Sequence, residues 1–356
     1  MAILPPELVP LIIPDRATSM ALALVNKHYN NIVTPTLYKK VTLQRCNVFK
    51  AFSETMVAGR PFLREYPTLL HILHWPGLED GADPDYLKPT IKEILMHIPN
   101  LKSLRLTVKE PMNRYLIEAP RYPFKLRQLT LMPIRDTMFV DFLKTQPEIE
   151  EVVLWGQIEP SGRSRQYTGH TSLQPDILPR LRSIHSDNVN VSFMVPYHPV
   201  TKINVSGVHR DFDIHEMIAK SLVPLESLTE CIGLSGQPWE SGIVSRCFPS
   251  LEFCWISLSE YSLRFHLAGP QFYRRSVLSL LKERDTPSYG LDIVRNGLSV
   301  FSALRKFSLS FYYHNTHDLT PEFCQTVPEL SRFDVWQVSC PNLEEITLFG
   351  VTLKKS

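Results

Sequence analysis

Apolar residues recur through most of this chain in a short asymmetric frame. Leu101, Leu104 and Leu106 follow L-x-x-L-x-L, and the frame returns at Leu126/Leu129/Leu131, Ile149/Val152/Leu154, Leu181/Ile184, Val200/Ile203/Val205, Leu251/Cys254/Ile256, Leu304/Phe307/Leu309 and Leu343/Ile346/Leu348. Leu70/Leu73/Trp75 is a weaker earlier copy and Leu225/Leu228 a fainter one. Successive side chains of a strand point to opposite faces. The last two apolar positions of each frame therefore predict a short strand with those residues in the core and the residues between them facing outward. Between several frames the apolar spacing changes to three and four, at Ile91/Ile94/Leu95/Ile98, Phe139/Phe142/Leu143 and Phe272/Val277/Leu280/Leu281, which predicts helices. Pro179, Pro249 and Pro341, each two residues before a frame, are placed to end such helices. Strand followed by helix, many times over, predicts an α/β fold with parallel strands.

Successive frames mostly start about 19 to 32 residues apart, with longer gaps before Leu304 and Leu343, near the roughly 20 to 29 residues of a leucine-rich repeat. On this spacing residues 42–356 resemble a degenerate leucine-rich-repeat array. The resemblance implies an irregular solenoid of parallel strands and helices with the strands along the inner wall. The Asn or Cys that the repeat places three residues after its last Leu is missing, the position being Lys109, Ile134, Gln157 or Val351, so no ladder of buried Asn is expected. An irregular α/β domain whose strands mimic the frame is the alternative, and the eight recurrences weigh against it. No distinct C-terminal cap is legible.

The first forty residues follow another pattern. Pro5 and Pro6 stand at a helix entry, Leu8, Leu11 and Ile12 recur at helical spacing, and Pro14 stops the run. Asp15, Thr18 and Ser19 suit a cap, and Leu22, Val25, Tyr29 and Ile32 predict one face of a helix of about four turns, broken at Thr34-Pro35. Leu37, Tyr38 and Val41 lead into an extended Val41-Thr-Leu43. Three short helices with this much apolar surface exceed what a module of roughly forty residues can bury alone, which implies a partner.

The order Leu4-Pro-Pro-Glu-Leu8, an apolar pair, a polar turn, an Ala/Leu-rich helix ending in Tyr, then Thr34-Pro-Thr-Leu-Tyr38 resembles the F-box of many fungal proteins. The resemblance covers residues 1–41. It implies docking on a Skp-type adaptor and through it on a cullin, with contacts at Leu4, Pro5, Leu8, Ile12, Leu22, Val25 and Tyr29. One departure stands out: the family has several more residues, a Leu among them, where this chain has only Ile13-Pro-Asp-Arg-Ala17. Ordinary packed helices of a larger domain are the alternative for this segment.

Charge adds little. Lys plus Arg number 38 against 36 for Asp plus Glu, which offers no bulk field for nucleic acid or a membrane surface and points to another protein as partner. No apolar run is long enough to span a bilayer, and Met-Ala-Ile-Leu-Pro-Pro lacks the basic start and long apolar core of a signal peptide, so a cytoplasmic or nuclear chain is expected. Cys46, Cys231, Cys247, Cys254, Cys324 and Cys340 are scattered without a Cys-x-x-Cys pair and read as reduced, mostly buried thiols. Asn190-Val-Ser192 and Asn204-Val-Ser206 fit the glycosylation pattern and read as chance matches in such a compartment.

Enzyme chemistry is thin, and neither a catalytic group nor a cofactor is expected. His71-x-x-His74 lies in a predicted strand, where residues three apart face opposite ways and do not converge on a metal. The acidic run from Glu79 to Asp85 lacks the ligand alternation of an EF-hand and contains Pro84. No nucleophile elbow or glycine-rich phosphate loop occurs. The pairs Glu150-Glu151 and Glu344-Glu345 fall at outward positions of the frames, where solvation or partner contact is the expected role. A hydrolase has no support in the sequence.

Recognition is expected on the outward positions of the frames: Arg105, Thr130, Val153, Trp155, His185, Asn204, Trp255, Ser308 and Thr347, with Phe349 at the rim. Aromatic side chains often anchor interfaces, so Trp155 and Trp255 lead, with Arg105, His185 and Phe349 beside them as target contacts. Together these features lead to the expectation of a non-enzymatic substrate-recognition subunit of a Skp-cullin-F-box ubiquitin ligase with an unidentified target. The alternative is a protein-binding scaffold that does not engage the ligase.

Overall fold

A computed structural model describes residues 16–73, 84–107, 121–132, 137–154, 172–206, 214–232, 248, 250–258, 295, 298–299, 301–311, 325 and 328–355. The expected first helix with Leu4, Pro5, Leu8 and Ile12 lies outside these residues, as do Trp75, Trp155 and the expected helix around Phe272 to Leu281. The chain divides into two compact units, Met1–Gln157 with Asp176–Arg180, and Ile158–Pro175 with Leu181–Ser356.

The first unit carries five parallel strands in sequence order, β1 (Lys40–Leu43), β2 (Leu69–Leu73), β3 (Ser103–Thr107), β4 (Gln128–Leu131) and β5 (Glu151–Leu154). Their register stacks Val41, Leu70, Leu104, Leu129 and Val152 in one buried row and Leu43, Ile72, Leu106, Leu131 and Leu154 in the next. Each such side chain contributes roughly 1.5 to 3 kcal/mol when removed from water. The frame expected at Leu70/Leu73/Trp75 is displaced. The core residues are Leu70 and Ile72, with buried Pro67 in the first position, whereas Leu73 pairs with outward Thr107. The run Leu69–Leu73 is apolar at four of five positions, so alternation alone leaves the inward set ambiguous.

Helices α1 (Arg16–Val25), α2 (Lys27–Lys39), α3 (Cys46–Val57), α4 (Pro84–Met96) and α5 (Thr137–Lys144) belong to the same unit, and Ile91, Ile94, Leu95, Phe139, Phe142 and Leu143 are buried as their spacing predicts. After α3 the Arg64 side chain donates to the carbonyls of Met56 and Val57, both at 2.6 Å, filling acceptors that a helix end leaves open. Gly59 is required there, since a Cβ would stand 2.1 Å from the Thr55 carbonyl oxygen.

The N-terminal helices differ from expectation. The predicted single helix is broken at Asn26, whose backbone is extended and whose side chain accepts a hydrogen bond from Tyr29 N at 3.0 Å, capping α2. Pro35 then lies inside α2 instead of ending it. Its ring removes one helical donor, and Thr34 Oγ1 bonds back to the Asn30 carbonyl at 2.6 Å one turn earlier. α2 passes into β1 without a linker, so the boundary expected at 41/42 falls within a strand.

The second unit repeats the plan with parallel β6 (Ser183–Ser186), β7 (Lys202–Val205), β8 (Ser227–Ile232), β9 (Phe253–Leu258), β10 (Lys306–Phe311) and β11 (Glu345–Leu348). The faint Leu225/Leu228 copy is a full strand unit, with both residues buried. Short helices α6 (Asn188–Met194), α7 (Ile214–Ile218), α8 (Pro328–Ser331) and α9 (Asp334–Ser339) lie between strands.

One hydrogen-bond arrangement recurs in both units. The carbonyl just after the first apolar residue of a frame accepts two amides, those of the equivalent residue and its successor in the next unit. Thr68 O takes Lys102 and Ser103, Lys102 O takes Arg127 and Gln128, and Arg127 O takes Glu150 and Glu151. In the second unit Arg182, Thr201, Glu226, Glu252 and Arg305 do the same for the strand that follows, all at 2.7 to 3.1 Å. The side chains at this position add ion pairs, Arg127 to Glu150 at 3.9 Å and Arg305 Nε to Glu344 at 2.9 Å.

The last strand is antiparallel. β12 (Val351–Lys354) folds back on β11 through Phe349 and Gly350, with φ of 50° and 90°. Two successive positive φ values in a two-residue loop make the type I′ turn that matches strand twist. Glycine takes this conformation freely, and Phe349 takes it under strain that its burial offsets. Lys355 N then bonds at 2.9 Å to the Glu344 carbonyl, the acceptor that a further parallel unit would use. The chain thus has a C-terminal hairpin cap where none was legible.

Buried Gln146 fixes the approach to β4. Its Oε1 accepts from Leu126 N at 2.9 Å and its Nε2 donates to Phe124 O at 3.4 Å. Gln146→Leu strands the Leu126 amide and should lower unfolding free energy by about 1 to 3 kcal/mol in urea titration. Truncation before Phe349 should retain the far-ultraviolet circular dichroism of the parallel strands. It should also expose the β11 edge, producing larger species in light scattering.

Candidate functional site

Two surfaces stand out for their exposed apolar, cationic and aromatic side chains. The first is on α1. Ala17, Met20, Ala21, Leu24 and Val25 recur at helical spacing and all are exposed, Leu24 at 87%, Val25 at 63% and Met20 at 55%. The opposite side holds buried Ser19 and half-buried Leu22 and Ala23. α1 is held against α2 partly by Asn30 Nδ2, which donates to the Ala23 carbonyl at 3.2 Å. α1 thus turns an apolar stripe outward while burying a serine, the reverse of the usual amphipathic arrangement.

The expected adaptor contacts separate on this geometry. Val25 lies on the exposed stripe, Leu22 turns toward the inner side, and Tyr29 is half-buried on α2 beyond the break at Asn26. Met20 and Leu24, outside the expected set, share the exposed stripe with Val25. The spacing from Leu22 to Tyr29 predicts one continuous face of a four-turn helix, and the break at Asn26 divides that face. The consecutive apolar residues of Met20 to Val25 fit more than one face.

The second surface is the outward side of each set of strands. In the first unit the register aligns Thr42, His71, Arg105, Thr130 and Val153. Arg105 is exposed, and the Thr107 hydroxyl lies 3.4 Å from His71 Nε2. Burial, then the nearby Arg105 charge, lowers the His71 pKa from its ordinary 6.5.

In the second unit the row is His185, Asn204, Thr229, Trp255, Ser308, Thr347 and Thr352. Trp255 is 41% exposed, and its indole N–H donates to Ser310 Oγ at 2.9 Å, which fixes the ring on the strand surface. His185 is half-buried. Phe349 is not a rim contact. It is buried at 4% exposure, because the tight turn into β12 folds its side chain inward.

The paired carboxylates are engaged with neighbours. Glu150 faces Arg127, Glu151 accepts from Gln128 Nε2 at 3.0 Å, Glu344 pairs with Arg305, and Glu345 lies 3.1 Å from Lys354 Nζ. Among the described residues no group of three or more His, Cys, Asp or Glu side chains could hold a metal ion, and His74 lies outside them. No described helix is long and apolar enough to cross a membrane. Asn190 is buried and donates to Asp187 Oδ1 at 3.0 Å, so its side chain is not presented for glycosylation.

No family profile matches the chain, and no curated protein matches it.

The inward and outward assignments predict a contrast between adjacent aromatic residues. Phe307→Ala should cost about 3 to 5 kcal/mol in chemical denaturation. Trp255→Ala, which removes an exposed ring and one surface hydrogen bond, should cost about 1 kcal/mol or less.

Proposed function

We propose that this chain is the substrate-recognition subunit of a Skp-cullin-F-box ubiquitin ligase. The supporting observation is the exposed apolar stripe of α1, in the segment whose order of residues resembles an F-box. Met20, Leu24 and Val25 join Leu4, Pro5, Leu8 and Ile12 as the adaptor-facing set. The parallel strand units are read as degenerate leucine-rich repeats, with Arg105, Trp155, His185 and Trp255 toward the target. The chain works in the cytoplasm or nucleus and supplies position, not bond chemistry. Holding a target beside the ubiquitin carrier raises the effective concentration of the target's lysines, reaching millimolar order for short linkages.

A second reading, a scaffold that does not engage the ligase, draws on the break at Asn26, which separates Tyr29 from the α1 stripe. Affinity purification distinguishes the two. Adaptor and cullin should copurify with the chain under the first reading and be absent under the second. Leu24→Asp places a carboxylate on the stripe and removes a contact worth about 1.5 to 3 kcal/mol, so adaptor capture should fall at least tenfold. Because Leu24 is exposed in the free chain, melting temperature should stay within a degree or so of wild type. Undiminished capture by this variant would remove α1 from the interface.

A further inference from the structure

The outward side of the first unit carries a local imbalance of charge. Arg105 stands between His71 on β2 and Thr130 on β4. Neighbouring strands lie about 4.8 Å apart, so these three side chains are within reach of one small anionic group. The outward residues of β1 to β4 are Lys40, Thr42, Leu69, His71, Leu73, Arg105, Thr107, Gln128 and Thr130, with Ser103 buried at the start of β3, and none is acidic. Glu151 on β5 is occupied by the Gln128 amide. Arg105 is therefore an exposed guanidinium without a carboxylate partner on the strands packed beside it, and half-buried Leu69 and Leu73 provide apolar surface on either side of His71.

We propose that this face binds an extended acidic peptide segment, one carboxylate pairing with the Arg105 guanidinium while His71 and Thr130 supply adjoining hydrogen bonds. A planar guanidinium presents its donors to a carboxylate in a two-pronged fork. A lone exposed pair of this kind binds weakly, so the contacts to Leu69, Leu73 and the neighbouring strands are what require a segment and not a free ion. A carboxylate is favoured over a phosphate dianion because, near neutral pH, neither strand beside β3 adds a second outward cation, Lys40 lying two strands away on β1. Burial and then the Arg105 charge hold His71 in its neutral form.

The pH dependence follows. The charged groups facing His71 from the adjacent strands are Arg105 on β3 and Lys40 on β1, both positive. A bound carboxylate offsets them and raises the His71 pKa, so binding takes up a proton and tightens as pH falls through that window. The site is independent of the adaptor reading, and substitution of Arg105 leaves the α1 stripe intact.

The test is fluorescence anisotropy of the full chain with a labelled, capped hexaglutamate at low salt. Wild type should bind it, more tightly at pH 5.5 than at pH 8 by about three- to tenfold. Arg105→Gln should weaken binding at least tenfold, Arg105→Lys should restore part of it, and His71→Gln should flatten the pH dependence. Arg105 is exposed, so circular dichroism of these variants should match wild type. In wild type alone, the His71 ring resonances should show a raised titration midpoint when the peptide is added. Absence of binding, equal binding of hexaserine, unchanged binding by Arg105→Gln, or an unmoved His71 midpoint would overturn the proposal. Tighter binding at pH 8 of a peptide carrying phosphoserine in place of one glutamate would overturn its carboxylate assignment.

Discussion

The doubled carbonyl acceptor at the start of eight strands is the constraint on which the rest of the fold depends. One backbone oxygen has two lone pairs, and here both are used by consecutive amides of the next unit. Sharing an acceptor in this way fixes register as well as spacing. Slippage by one residue would break both bonds and turn every inward side chain outward. The arrangement needs no particular side chain, which is why Thr68, Lys102, Arg127, Arg182, Thr201, Glu226, Glu252 and Arg305 can all occupy the position. The backbone conserves the geometry while the exposed side chains vary, and two of the resulting neighbours form ion pairs.

A stack built by such bonds has an edge problem, since the last strand presents acceptors and donors with no successor. The hairpin at Phe349-Gly350 covers β11 and leaves antiparallel β12 as the outermost strand. Antiparallel β12 pairs with β11, and Lys355 occupies the Glu344 carbonyl. The strained Phe349 belongs to this device: its ring is buried while its amide donates to the Leu309 carbonyl at 2.8 Å. Thr347 and Thr352 add a cross-strand hydroxyl pair at 3.0 Å.

The same period-two alternation that builds the core also separates buried from exposed side chains. Inward rows are almost wholly aliphatic. Ser186, in register with Val205, is a buried polar exception with no hydrogen-bond partner for its hydroxyl among the described residues, and Glu230 holds the same register position on β8. Outward rows differ between the two units. The first presents a cation beside an imidazole, and the second presents hydroxyls, an amide and an indole held by Ser310. Two exposed surfaces with different chemistry thus arise from one repeated backbone plan, and the α1 stripe is a separate third.

Much of the fold was determined by the sequence itself. Period-two spacing after a fixed offset located the strands from Leu104 through Leu348, because alternation is a local property of extended backbone. Arg105, His185 and Trp255 were placed on the outward side for the same reason. Tertiary structure decided what local spacing leaves degenerate. Met20 to Val25 and Leu69 to Leu73 are apolar at nearly every position, so only packing selected the exposed stripe of α1 and the inward pair Leu70 and Ile72. Pro35 favours a break, yet the break falls at Asn26, where a side chain can cap the next helix and leave Pro35 within it. Phe349 looked like a rim aromatic until the reversal of β12 buried it, since a turn with two positive φ values depends on the strand it returns to and not on the phenylalanine.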